Sequence, residues 1–258
     1  MYVKSLLTLF CLLALSLPAA ADVPVYGYRI VNRYPHNIAS FTQGLEFHEG
    51  VLYEGTGRNG RSMLSKLDLE SGEVLQSKRL ASRYFGEGIS IVGRRIFQLT
   101  WQSNIVFVYD LETFDTLTSF YHPTEGWGLT WDGEQLILSD GSATLQFIDP
   151  ETFQVQRKVE VTLEGRPIRN LNELEFINGE VWANVWMTNE IVRVDPATGN
   201  INSVVNLTGL MQETTTGGSD GVLNGIAWLP GQTPETGRLF VTGKLWADLF
   251  EIELVPLP

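Results

Sequence analysis

Residues 171–207 read LNELEFINGEVWANVWMTNEIVRVDPATGNINSVVNL. Leu171 to Ile177 is a short apolar run interrupted by Glu173 and Glu175, the alternation of a strand. Asn178-Gly179 supplies the turn that joins two antiparallel strands. Glu180 to Val185 is a second apolar run, and a third ends at Arg193-Val194-Asp195. The polar turn Ala197-Thr198-Gly199-Asn200 then leads into a fourth strand. Four strands in about forty residues make one small meander, a unit that needs neighbours to cover its faces.

The same order recurs. Units begin at Phe41, Tyr84, Glu125, Leu171 and Leu223. Their first turns include His48-Glu49-Gly50, Val92-Gly93-Arg94 and Trp131-Asp132-Gly133, and their third strands end in Asp68, Asp110, Asp149 and Asp195. No segment carries a helical stripe longer than about two or three turns. Four strands per unit at a period of roughly 40–50 residues predicts an all-β fold, a five-bladed β-propeller. The fifth unit stops after its third strand, at Glu251-Ile252-Glu253-Leu254, while Tyr26–Asn32 (YGYRIVN) is a spare strand. This N-terminal strand is expected to complete the last blade and close the ring, protecting edges that an open β-sandwich, the competing architecture, would leave.

Ahead of the repeat, Lys4 and the apolar run Ser5–Leu17 are followed by Pro18 and Ala19-Ala20-Ala21. The run is short for a bilayer span and ends in small residues. Residues 1–21 therefore read as a secretory signal cleaved after Ala21, with a retained anchor as the alternative. Residues 22–258 are expected to form one exported domain, periplasmic or secreted and free of the membrane. The single cysteine, Cys11, lies inside that leader, so no disulfide can form in the mature chain. Stability has to come from burial and strand pairing, for which 258 residues with 43% hydrophobic content suffice. A formal charge of −12 argues against nucleic acid, whose phosphates need a basic surface.

In a meander the start of the first strand and the end of the second lie at the same end, because the two are antiparallel. Residues at these positions in every unit should meet on one face around the axis. They are Gln43, Glu87, Trp101, Trp127, Asn172, Glu173, Trp186, Asn224 and Lys244. Tryptophans and amides with few charges are the makings of a small-ligand pocket. Trp131, Trp182 and Trp228 fall within strands and are assigned to the core, whereas Trp101, Trp127, Trp186 and Trp246 fall in loops and stay open between core and site. The repeating aspartates are turn formers. Glu173 is either an axial acid or a cap for backbone amides. Glu87 breaks the repeat, standing where the first unit has Gln43 and the third Trp127. Gly86 and Gly88 beside it are expected to turn the backbone sharply and leave the acid uncovered.

Other chemistries find no support. His36, His48 and His122 are scattered, which offers no zinc site and no other metal-ligating set. There is no Gly-x-Ser-x-Gly elbow. The glycine-rich stretch Gly55–Gly60 precedes no helical pattern and reads as a loop. One well-placed carboxylate, one lysine and aromatic walls suit proton transfer on a small group.

The stretches FTQGLEF, FGEGI, QLTW, EGWGLT, LNELEF, GEVWANVW, LNGIAW and FVTGKLW, in that order, resemble the glutaminyl cyclases of plant and bacterial type, also called glutamine cyclotransferases. The resemblance covers essentially all of the chain after the leader. It implies a five-bladed propeller and conversion of the N-terminal glutamine of a peptide or protein to pyroglutamate with release of ammonia; a monomer that requires no cofactor is the accompanying expectation. It makes Glu87 the acid/base and places Phe41, Gln43, Phe85, Trp101, Trp127, Asn172, Trp186 and Lys244 in the pocket wall. Plant members carry a disulfide that this chain cannot form. Some members hold a structural metal ion in the central channel, which the sequence leaves open here. Two rival readings are a non-catalytic propeller binding a peptide or partner through the same face, and a lactonase-like hydrolase. A lactonase's axial calcium would want more acids than Glu87 and Glu173.

Overall fold

The computed structural model describes residues 23–233 and 236–257, so the expected leader lies outside the described residues. Strand β1 spans Val25–Pro35. A first sheet follows in simple up-and-down order: β2 (Thr42–His48), β3 (Val51–Thr56), β4 (Met63–Leu67) and β5 (Val74–Arg79). A second repeats it with β6 (Gly86–Val92), β7 (Arg95–Thr100), β8 (Ile105–Asp110) and β9 (Thr116–Tyr121). The third has β10 (Leu129–Trp131), β11 (Leu136–Leu138), β12 (Thr144–Ile148) and β13 (Val155–Glu160). After a small ribbon, β14 (Thr162–Leu163) and β15 (Arg166–Pro167), come β16 (Leu171–Ile177), β17 (Glu180–Val185), β18 (Glu190–Val194) and β19 (Ile201–Asn206). One short 3-10 turn, Leu210–Glu213, precedes β20 (Leu223–Leu229), β21 (Arg238–Gly243) and β22 (Asp248–Pro256). Among the described residues there is no α-helix.

The last sheet needs the chain's first strand. β1 runs antiparallel to β22 from Tyr26 opposite Pro256 to Pro35 opposite Asp248. A brief parallel pairing of Val25 and Tyr26 with Val204 and Val205 also ties β1 to β19, which merges two meanders into an eight-stranded sheet. The inner strands β2, β6, β10, β16 and β20 lie side by side, and β20 returns to β2, so the sheets follow one another around a cycle. This is a β-propeller-like arrangement of small antiparallel sheets.

Its core lies between sheets. Phe97, Val106 and Val108 of the second sheet pack on Leu136, Leu138 and Ile148 of the third. Leu45, Phe47 and Leu52 of the first meet Ala227, Phe240 and Leu249 of the last, closing the cycle. Each such fully buried side chain contributes about 1.5–3 kcal/mol by leaving water. Outer strands such as β5 and β9 alternate with solvent or lie open to it, which is why their sequences are polar.

The inner strands have one edge facing the axis with no strand beside it, and its N–H groups need partners. Glutamates supply several. Glu46 on β2 accepts from Ile91 N (3.1 Å), and Glu175 on β16 accepts from Trp228 N (2.9 Å). Glu173 spans the channel mouth, one oxygen accepting from Leu45 N (3.3 Å) and the other from Ile226 N (2.8 Å). Glu173 is thus a cap for backbone amides. The repeating aspartates form the expected turns: Asp110 Oδ1 accepts from both Glu112 N and Thr113 N (3.0 Å each), Asp149 Oδ1 does the same with Glu151 N and Thr152 N, and Asp68 and Asp195 accept from Ser71 N and Ala197 N together with a hydroxyl of Ser71 or Thr198.

Candidate active site

The heads of four inner strands carry the same irregularity. Strand register slips between Thr42 and Gly44, between Gly86 and Ile89, between Leu171 and Leu174, and between Leu223 and Ile226. The residues left over are Gln43, Glu87 with Gly88, Asn172 with Glu173, and Asn224 with Gly225. A bulge bends its strand and re-aims the extra side chain. These bulges put Gln43, Glu87 and Asn172 into one cavity at the end of the ring.

That geometry corrects the expectation for FGEG. The stretch is the start of β6 and not a sharp turn. Gly88 is required by close approach: its N–H donates to Trp127 O (2.8 Å), and a Cβ there would sit 2.7 Å from both Leu129 N and Trp127 O. The glycine lets two inner strands touch along their backbones just below Glu87.

The cavity measures about 360 Å³ and is lined by Phe41, Gln43, Phe85, Glu87, Trp101, Trp127, Asn172, Trp186 and Lys244, whereas Glu173 and Asn224, expected at the same face, do not line it. Met187, Ser219, Asp220 and Val222 join the lining residues at the mouth. The aromatic rings stand edge to face in two groups. Phe85 packs on Phe41 (6.0 Å, 87°) and on Trp101 (5.5 Å, 61°), and Trp127 packs on Trp186 (5.5 Å, 87°). The Arg58 guanidinium, paired with Asp220 (2.8 Å), covers the Phe41 ring at 4.4 Å, and Lys244 Nζ lies 5.0 Å from the same ring. Of the loop tryptophans, Trp246 does not enter the cavity. It is buried, donates its indole N–H to Gly221 O (3.0 Å), and packs on Phe250. Trp182 is core as expected, while Trp131 and Trp228 are half-buried against it.

Polar groups at the floor are bound to one another. Gln43 Nε2 donates to Glu87 Oε1 (3.2 Å), and Asn224 Nδ2 donates to Gln43 Oε1 (3.3 Å) and Thr42 O (2.9 Å). Asn172 Oδ1 is buried with no partner, an acceptor with its hydrogen bond still to make. Burial pushes the Glu87 carboxyl well above the usual range, the Lys244 ammonium opposes this, and the Glu125 charge adds to it. Burial likewise brings Lys244 down to about 8, against the pull of Glu87. The floor therefore holds a carboxyl whose proton affinity is raised and an ammonium whose proton affinity is lowered, which brings the two closer together and suits proton transfer.

Three features escaped the sequence reading. Glu125 bonds two of the wall tryptophans. Glu46 and Glu175 add two more acids along the axis, where burial pushes Glu46 up to about 8 and Glu175 well above the usual range. Each of them accepts a backbone N–H, Glu46 from Ile91 and Glu175 from Trp228. Alternation in β2 and β16 was the available signal for both, since it marks Glu46 and Glu175 as sharing a face in strands otherwise buried on both sides.

A family model described as glutamine cyclotransferase matches residues 3–254. A glutaminyl-peptide cyclotransferase of Arabidopsis thaliana is 43% identical over 229 residues, 87% of this chain and 70% of the relative. The crystal structure of Myxococcus xanthus glutaminyl cyclase superposes with a TM-score of 0.86 at 36% identity, covering 92% of this chain and 100% of the other. The chain belongs to the glutamine cyclotransferase family.

Proposed function

We propose that the protein is a glutaminyl-peptide cyclotransferase that closes the N-terminal glutamine of a peptide or protein into pyroglutamate, with Glu87 moving the proton. The observation that carries this reading is the place of Glu87: a buried carboxyl on the floor of an aromatic cavity, bonded to Gln43 and within the field of Lys244. The α-nitrogen attacks the side-chain amide carbon, a C–N bond forms, and the original amide nitrogen departs as ammonia. Nucleophile and electrophile share one residue, so folding the substrate against the rings supplies much of the catalysis. Glu87 takes a proton from the α-amine and returns it to the leaving nitrogen. Gln43 and Asn172 orient the amide and steady the oxyanion, with the unpartnered Asn172 Oδ1 available to a substrate N–H. No step runs through a cofactor.

The same reading includes a five-bladed propeller, supported by the recurring four-stranded order and its return from β20 to β2. Export is inferred from the Lys4, Ser5–Leu17 and Ala19–Ala21 pattern. A monomer suffices, because one chain lines the whole cavity. Among the described residues no helix is long and apolar enough to cross a membrane. The test is mass spectrometry of a short peptide with free N-terminal glutamine, beside its N-acetylated form and beside a Glu87→Gln variant. Loss of one ammonia from the free peptide with the wild type alone is expected. No loss across pH would leave a peptide-binding module and overturn the reading.

A further inference from the structure

Glu125 precedes β10 and lies at the cavity's edge, outside the residues given a part in the reaction. Its Oε2 accepts the indole N–H of Trp101 (2.8 Å) and that of Trp127 (3.0 Å), while its Oε1 accepts from Gln102 Nε2 (3.0 Å). Trp101 follows β7 and Trp127 precedes β10, so one carboxylate joins two successive sheets. An indole is a rigid plate with a single polar atom. Fixing its N–H fixes where its faces and edges point. Trp101 packs on Phe85, and Trp127 packs on Trp186. The two ring groups that wall the cavity are therefore both held at one oxygen. Trp101 is 37% exposed and has little else to keep it from swinging toward solvent.

We propose that Glu125 is the positioning residue of this site: it locks the two indoles into one wall and keeps a negative charge beside Glu87. The charged groups around Glu87 are Lys244, which opposes its high proton affinity, and Glu125, which adds to it; at the mouth, Arg58 and Asp220 are engaged with each other. The wall exists before substrate arrives, so its order governs how well a folded glutaminyl residue is held as well as how fast it closes. The kinetic consequences rest on the cyclase reading. The tether does not.

Two substitutions separate the two parts. Glu125→Ala removes the tether and the charge together. Glu125→Gln removes the charge and keeps one carbonyl oxygen that can accept both indoles, while its amide NH2 takes the place of the oxygen that accepts from Gln102. The first readout is the ¹H–¹⁵N spectrum of the indole N–H groups, assigned by Trp101→Phe and Trp127→Phe. In Glu125→Ala both signals should move upfield and exchange with water at least about tenfold faster, the equivalent of one hydrogen bond. Glu125→Gln should restore most of that protection. The second readout is the pH profile of peptide cyclisation. Glu125→Ala should lose about ten- to a hundredfold in kcat/KM, with KM raised, as expected for misplaced reacting atoms. Glu125→Gln should recover most of that loss while its Glu87-dependent limb shifts toward acid. Unmoved indole signals in Glu125→Ala, or equal losses in both variants, would overturn the proposal. A wild type that cyclises nothing would remove the cyclase reading and leave the indole result to decide the tether.

Discussion

Breaking the His36–Glu54 pair should cost the fold several kcal/mol. His36 Nδ1 lies 2.8 Å from Trp246 O and its Nε2 lies 3.0 Å from Glu54 Oε1, so both ring nitrogens donate and the ring is an imidazolium. Glu54 also accepts from Thr42 Oγ1 (2.7 Å) and Ser40 Oγ (3.1 Å), and both side chains of the pair are 2–3% exposed. The Glu54 charge lifts the His36 pKa against the lowering effect of burial, and the imidazolium holds Glu54 below the usual carboxylate range although burial raises it. His36→Ala would leave Glu54 charged and buried beside two hydroxyls, with Trp246 O unpaired. One-sided loss of a buried pair costs about 3–5 kcal/mol, and a protein of this size would melt roughly 6–20 °C lower. Denaturant titration of His36→Ala, Glu54→Gln and the double variant measures the coupling. His36 contributes stability fully below about pH 6.5, and that share is lost as pH rises through its raised folded value. Glu54 contributes above about pH 4.5 and loses its share as pH falls through its lowered one. A His36→Ala cost under about 1 kcal/mol, or additive single losses, would refute the reasoning.

Three further predictions address the site and the axis. Gly88→Ala would press a methyl into backbone atoms of Leu129 and Trp127; it should destabilise by about 1–3 kcal/mol and reduce cyclisation, and an unchanged denaturation midpoint would contradict the close approach. The Glu46 carboxyl is raised to about 8, so the folded chain binds its proton more tightly than the unfolded one, and stability should fall as pH rises from about 4.5 toward 8. Glu46→Gln should flatten that slope in calorimetric melts. Lys244 titrates at about 8, so an activity needing its charge should decline above that pH. Lys244→Met should lack that limb and leave the Glu87 carboxyl higher, which pH–rate profiles report.

The order of strands was legible because turns and third-strand aspartates repeat in register, and repetition outweighs any single ambiguous segment. The closing strand was legible from a deficit, since the last unit ran out at Glu251–Leu254 and Tyr26–Asn32 had no unit of its own. The site's membership followed from antiparallel geometry at strand ends. The device that gathers it did not: a bulge adds one residue without altering composition, so Gly86 and Gly88 read as a turn until the slip between Gly86 and Ile89 placed them. Glu125 escaped because two of its three partners, Trp101 and Gln102, come from the preceding sheet, and no local pattern encodes an indole reaching across. Glu46 and Glu175 escaped because the open edge at the axis, which gives their carboxylates backbone N–H groups to accept, is formed only when the sheets close into a cycle.

The pairing of β1 with β22 sets an order of events during biosynthesis. β1 leaves the ribosome among the earliest strands and cannot find its partner until Asp248–Pro256 has been made. Until then the last sheet lacks its outer strand, and the apolar seam between Leu45 and Phe240 stays open. A contact of such sequence separation closes slowly, so the ring stays unclosed well after its local meanders have been made. Truncating the final strand should therefore strand the polypeptide as an unclosed, protease-sensitive intermediate rather than a slightly shortened native protein.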